Sequence, residues 1–192
     1  MTKALLIIDV QNDFCEGGSV PVSGGTDVAS AISSHVAKKG GDYAHVIATR
    51  DFHLDPGAHF SDEPDFVNTW PPHGVIGTAG ADFHEKLDLA PIEMVFSKGR
   101  EAAAYSGFEG LNDDGELLGD WLRERGVDEV DVVGIATDHC VRATALDGVR
   151  QGLRTRVLLG LTAAVARDTT DRALAELRSA GVALSGDPVL RP

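Results

Sequence analysis

The sequence predicts an α/β fold in three layers, with a mainly parallel central sheet between helices. Three observations predict it: five short apolar runs rich in β-branched residues, stretches of helical periodicity between them, and a regular alternation of the two along 192 residues. Runs of this kind become strands buried on both faces. Alternation with helices implies right-handed crossovers, which keep the strands parallel and cover both faces of the sheet.

The elements follow in order. Residues 4–10 form the first apolar run. Val28, Ile32 and Val36 then repeat at i, i+4 and i+8, after a cap expected at Thr26/Asp27 and before a stop at Gly40. Residues 44–51 and 92–98 are the second and third runs. Leu118, Trp121 and Leu122 share a helical face that ends at Gly126. Residues 130–137 are the fourth run, and Val141, Ala145 and Val149 mark the helix after it. Residues 155–165 are the fifth. A last helix over about 169–180 buries Ala173, Leu174 and Leu177 and stops at Gly181, leaving 182–190 as a final strand. At roughly 150 residues per domain, the chain is read as one domain over 1–192.

One stretch breaks the alternation. Residues 52–91 are 40 in number, contain five of the eight prolines and show neither period. A loop of that length in a compact domain is expected to be functional.

Composition narrows the function classes. Seventeen Lys+Arg against thirty Asp+Glu give a net charge of −13, with no basic stripe to follow a phosphate backbone, so nucleic acid is excluded as a partner. The apolar run 4–8 is halted by Asp9, too short for a signal-peptide core of about 7–15 residues or a membrane span of about 20. A soluble, cytoplasmic protein without membrane partners is expected, as a monomer or small homo-oligomer. The two cysteines, Cys15 and Cys140, are read as thiols.

The reactive side chains gather at strand ends. Asp9 closes the first run, Asp51 the second and Lys98 the third, and Cys140 lies just past the fourth at a helix start. In open parallel sheets the ligand crevice lies beyond the carboxyl ends of the strands. A helix N-terminus favours a thiolate, and its free N–H groups suit an oxyanion. A buried cysteine is also an ordinary core residue, and Asp9 and Lys98 have equally plain readings singly. Together they supply a nucleophile, a proton carrier and an ammonium to favour the charged forms.

The loop offers a second set: Asp51, His53, His59 and His73, with four of the seven histidines between 53 and 84. One carboxylate and three imidazoles suit one divalent metal ion, Zn²⁺, Fe²⁺ or Mn²⁺. Its binding would supply ordering energy to the loop. His35 and His45 are read as hydrogen-bonded groups and His84 as a helix-start residue.

Six segments resemble the nicotinamidase/pyrazinamidase family of isochorismatase-like cysteine hydrolases. They are Ile8-Asp9-Val10-Gln11-Asn12-Asp13-Phe14, Asp51-Phe52-His53, Trp70-Pro71-Pro72-His73, Lys98-Gly99, Ala104-Tyr105-Ser106-Gly107-Phe108-Glu109-Gly110 and Gly134-Ile135-Ala136-Thr137-Asp138-His139-Cys140-Val141. The resemblance implies the isochorismatase-like hydrolase fold and deamidation of nicotinamide and pyrazinamide through a thioester. It implies Cys140 as nucleophile, Asp9 as general base and acid, and Lys98 as third member of a triad. It further implies Asp51, His53, His59 and His73 as metal ligands, a cis bond before Ala136, and an oxyanion hole from the Ala136 and Cys140 amides. Phe14, Trp70, Tyr105 and His139 would line the substrate pocket. Two other readings stay open: a related cysteine amidohydrolase acting on a carbamoyl or ureido compound, and a non-catalytic metal-binding module.

Overall fold

The computed structural model describes residues 1–191. The strands β1 (Thr2–Ile8), β2 (His45–Asp51), β3 (Met94–Lys98), β4 (Val127–Ile135), β5 (Arg154–Ala163) and β6 (Ala183–Ser185) form one sheet in the order β3-β2-β1-β4-β5-β6. Every pairing is parallel. The strand order reverses between β1 and β4, which opens a crevice at their carboxyl ends.

Alternate side chains of the central strands feed two cores. Leu6 and Ile8 of β1, with Val130 and Val132 of β4, meet Leu118, Trp121 and Leu122 of α2 (Leu118–Glu124) and Ala145 and Leu146 of α3 (Arg142–Arg150). Leu177 of α4 (Arg167–Ser179) joins the same cluster. Leu5 and Ile7 face the other way, onto Val28, Ile32 and Val36 of α1 (Gly25–Lys39). These are the three layers the alternation predicted. Among the described residues no helix is long and apolar enough to cross a membrane.

Several details differ from the sequence reading, among them that no helix starts at His84, whose N–H instead bonds the Val10 carbonyl. The α1 helix begins at Gly25 with Gly24 as its cap residue, so Thr26/Asp27 lie inside it; its free N–H groups are taken by the Glu16 carboxylate, from Gly24 (2.6 Å) and Thr26 (2.9 Å). β4 ends at Ile135, where the chain enters a single π-helical turn over Thr137–Val141 before α3. The last strand is only Ala183–Ser185, because Gly186 takes φ +77° and Pro188 follows; the chain rejoins the sheet at Val189, opposite Ala163. Leu174 is only partly buried.

Residues 52–91 lack strands or α-helices but are not structureless. Short 3₁₀ turns form at Gly57–His59 and Ala79–Ala81, and isolated bridges join His53 to Val75 and Phe60 to Trp70. His35 and His45 bond Tyr43 and Glu93, as read.

Gly134 is required where β1 and β4 meet. Its φ is +118°, and a Cβ there would lie 2.1 Å from the Ile8 carbonyl oxygen. We expect Gly134→Ala to cost more than about 4 kcal/mol and to lower the melting temperature by about 10 °C or more. Gly126→Ala, also at positive φ but facing open space, should cost only about 1 kcal/mol. Thermal melts of the two variants check this.

Hydrogen bonds from Gly24 and Thr26 overcome burial and hold Glu16 down at about 2. A carboxylate with a lowered native value stabilises above its unfolded pKa of about 4.3 and loses that contribution as pH falls toward the native value. Glu16→Gln should therefore destabilise by at most about 1 kcal/mol at pH 7 for an exposed cap. The gap between wild type and variant should narrow below about pH 4 and close toward about pH 2 in urea titrations.

Candidate active site and metal centre

The four strand-end residues converge. Asp9 follows β1 with φ +48°, a left-handed conformation that Asp tolerates, and turns its carboxylate inward. Lys98, at the end of β3, is 2% exposed. Its Nζ donates to Asp9 Oδ2 (2.8 Å) and to Asp51 Oδ1, and lies 3.8 Å from Cys140 Sγ. The other Asp9 oxygen accepts the Thr49 hydroxyl at 2.7 Å. Cys140 sits in the π turn after β4, and the Ile135–Ala136 peptide bond before that turn is cis.

Charge in this cluster is set by burial against one cation. Burial would lower Lys98, but Asp51 and Asp9 outweigh it and keep the ammonium charged. For Asp51, burial is overcome by Lys98 and by His53 and His73, so the carboxylate stays ionised. Burial pushes Asp9 up against the pull of Lys98, so this carboxyl can both take and release a proton. Burial also pushes the Cys140 thiol up, with Lys98 opposing. Burial thus opposes the thiolate that the helix start and Lys98 favour, and Asp9 is the neighbour placed to accept its proton.

The second set closes around Asp51. Ring nitrogens of His53, His59 and His73 lie within 4.8 Å of one another. Asp51 Oδ2 is 3.6 Å from Nε2 of both His53 and His73. The tautomers suit metal ligation. His53 Nδ1–H donates to the Gly99 carbonyl and His73 Nδ1–H to the Pro71 carbonyl (2.7 Å), leaving each Nε2 lone pair facing the cluster. His53 Nε2 and His59 Nδ1 are buried without a hydrogen-bond partner. Burial, then His73 and His53, hold His59 down at about 4, in the neutral form that ligates. Two orphaned buried nitrogens beside a carboxylate are costly unless a cation meets them, so this donor set fits one divalent ion. Asp51 is shared, one oxygen with Lys98 and the other with His53 and His73.

A pocket open to solvent joins the two sets. Cys140, Ala136, Asp51, His59 and His73 reach it, and Phe14, Trp70, Tyr105 and His139 wall it. The walls are braced: Trp70 Nε1 donates to Tyr105 Oη (3.2 Å), Trp70 packs edge-on against His139, and Phe14 packs on His73. All twelve residues singled out in the sequence thus lie in or beside one cavity.

Sequence reasoning missed the supports. Gln11 receives Asp51 N–H and donates to the Asp51 and Ala81 carbonyls, fixing the end of β2 to the loop. Asp13 accepts Gly74 N–H at 2.8 Å, beside His73. Asp138 accepts the N–H groups of Val165 and Ala166, placing Val165 at the pocket. Gln11 and Asp13 lie inside the Ile8–Phe14 motif; Asp138 neighbours Cys140, but nothing in its spacing marks a support.

Residues 3–187 match the isochorismatase domain. The chain is 63% identical to the nicotinamidase/pyrazinamidase of Mycobacterium tuberculosis, over 95% of this chain and 97% of that protein. Among solved structures it resembles the pyrazinamidase of Pyrococcus horikoshii in complex with zinc, with a TM-score of 0.82 and 34% identity over 96% of this chain and 98% of the other. It also resembles PnC1 of L. infantum in complex with nicotinate, with a TM-score of 0.83 and 34% identity over 99% and 96% of the two chains.

The cradle of His53 gives a sharp test of the metal centre. A Cβ on Gly99 would sit 2.4 Å from His53 Cε1, so Gly99→Ala must displace the ring. Zn²⁺ affinity should fall by about 10–100-fold, the usual cost of disturbing a ligand's support. Equilibrium titration with a competing chelator reads this directly.

Proposed function

This chain belongs to the isochorismatase family, and we propose that it hydrolyses nicotinamide to nicotinate and ammonia, and pyrazinamide to pyrazinoate by the same route. The observation that carries the proposal is the position of Cys140 Sγ, at an aromatic-walled pocket and 3.8 Å from the ammonium that also binds Asp9. The planar ring fits between Trp70, Phe14 and Tyr105, with its carboxamide toward Cys140. A divalent ion would be held by Asp51, His53, His59 and His73 and would supply a Lewis acid beside the pocket.

Asp9 removes the Cys140 proton as sulfur adds to the carboxamide carbon. The amides of Ala136 and Cys140 receive the oxyanion. Asp9 then passes its proton to the amide nitrogen, the C–N bond breaks, ammonia leaves and a thioester remains. Water adds to the thioester carbon while Asp9 takes its proton, and nicotinic acid departs as that proton returns to sulfur, ionising to nicotinate by losing its carboxyl proton to solvent or ammonia. Lys98 stays charged throughout and offsets the negative charge that moves between Asp9 and Cys140. A purely structural metal module would leave this buried Lys98, Asp9 and Cys140 grouping without a role.

Cys140→Ala should lower ammonia release by at least about 10³-fold while sparing folding and metal content. Near-normal turnover would overturn the mechanism. Ammonia release by metal-stripped protein, alone and after adding Zn²⁺, Fe²⁺ or Mn²⁺, tests the metal: activity should vanish on stripping and return on loading. Full activity without metal, or preference for a ureido or carbamoyl compound, would favour a related amidohydrolase.

A further inference from the structure

Two buried threonines support the reacting groups, and both touch one glycine. Thr49, on β2, donates its hydroxyl to Asp9 Oδ1 at 2.7 Å. Thr144, on α3, donates its hydroxyl to the Cys140 carbonyl at 2.7 Å. Its lone pair accepts Gly107 N–H at 2.9 Å. Both threonines are fully buried. Gly107 fills the space between them, since a Cβ there would lie 2.8 Å from Thr49 Cγ2 and 3.5 Å from Thr144 Oγ1 and Cγ2.

Gly107 also begins the turn behind a pocket wall. Ser106 and Glu109 form a reciprocal cap on it, and the Glu109 carboxylate accepts the N–H groups of Tyr105 and Ser106. Tyr105 lines the pocket and meets Trp70. A continuous path of contact therefore runs from Asp9 through Thr49, Gly107 and Thr144 to Cys140, with Tyr105 attached at its midpoint.

A threonine bonding the carbonyl four residues back is ordinary in a helix. Here the hydroxyl has a second partner from a distant segment, and removing it strands a buried N–H beside the nucleophile's turn. We infer that Thr144 is a positioning residue for the hydrolysis, holding the Cys140 turn in register with Asp9 and with the Tyr105 wall through Gly107. The inference rests on the reading of Cys140 as nucleophile.

The test compares wild type, Thr144→Val and Thr144→Ser. It follows kcat and KM for ammonia release from nicotinamide, the alkylation rate of Cys140 by iodoacetamide, and the melting temperature. Cys15, which is buried and pushed up to about 12, is a slow background. Thr144→Val should lower kcat about tenfold or more, change KM less, and slow alkylation in parallel. Thr144→Ser keeps the hydroxyl and should hold kcat and alkylation within about twofold of wild type, although its lost methyl lowers the melting temperature. Wild-type kcat and alkylation in Thr144→Val, or equal losses in Val and Ser, would overturn the inference. If Thr144→Val does not fold, Thr144→Ala removes the hydroxyl without adding a methyl against Gly107 N–H and takes its place. If wild type releases no ammonia from nicotinamide, the functional reading fails, and the alkylation series alone decides for or against Thr144.

Discussion

An ammonium without access to water must be met by charge of the other sign, and Lys98 is met twice, by Asp9 and by Asp51. Two carboxylates around one cation leave a surplus negative charge in a place where burial penalises it. A single proton relieves that surplus, and Asp9 and Cys140 are the groups beside it whose burial favours holding one. The same surplus, displaced to the far oxygen of Asp51, faces the imidazoles of His53 and His73 and suits a divalent cation. Proton transfer on one side of Lys98 and metal binding on the other thus follow from one buried pair of contacts.

The sheet makes this contact possible. In a parallel sheet every strand ends on the same edge, so neighbours with short separations in space can be far apart in sequence. Asp9 and Cys140 lie beyond β1 and β4, the two strands between which the order reverses. Helices diverge there and leave room for a pocket. Asp51 and Lys98 are paired in register at the ends of β2 and β3, which sets the lysine beside the carboxylate before any side chain is chosen.

Much of this was legible because strand ends can be read from where apolar runs stop. Ile8 to Asp9, Thr49 to Asp51 and Phe96 to Lys98 each switch abruptly from apolar or β-branched to charged residues. The ligand types were legible too, since histidines seldom crowd a Pro-rich loop. Hydrogen-bond direction was not. That His53 gives its Nδ1 proton to Gly99 depends on the turn after β3, forty-six residues away. Thr49 and Thr144 carry no mark of their own, because a threonine facing a core reads as a β-branched packing residue whether or not its hydroxyl holds a neighbour. The cap of α1 escaped for a similar reason: Glu16 reaches back from outside the helix, while local patterns look for a cap at the first turn.

The long loop divides into two parts with different sources of order. Its near part is fixed by protein alone. His53 N–H bonds the Gly74 carbonyl, Ile76 N–H bonds His53, Gly74 N–H bonds Asp13, Asn12 holds Ala79, and His84 N–H reaches Val10. The outer part, around His59 to Trp70, returns on itself through Ser61 and Trp70 and touches the body through His59, through the Trp70–Tyr105 bond and through rings packed against His53, His73 and His139. His59 is also the ligand with an orphaned buried nitrogen in that part. Metal binding would add most order where these protein hydrogen bonds to the body are fewest. That is the segment that carries Trp70, so the ion that anchors His59 would also anchor one wall of the pocket.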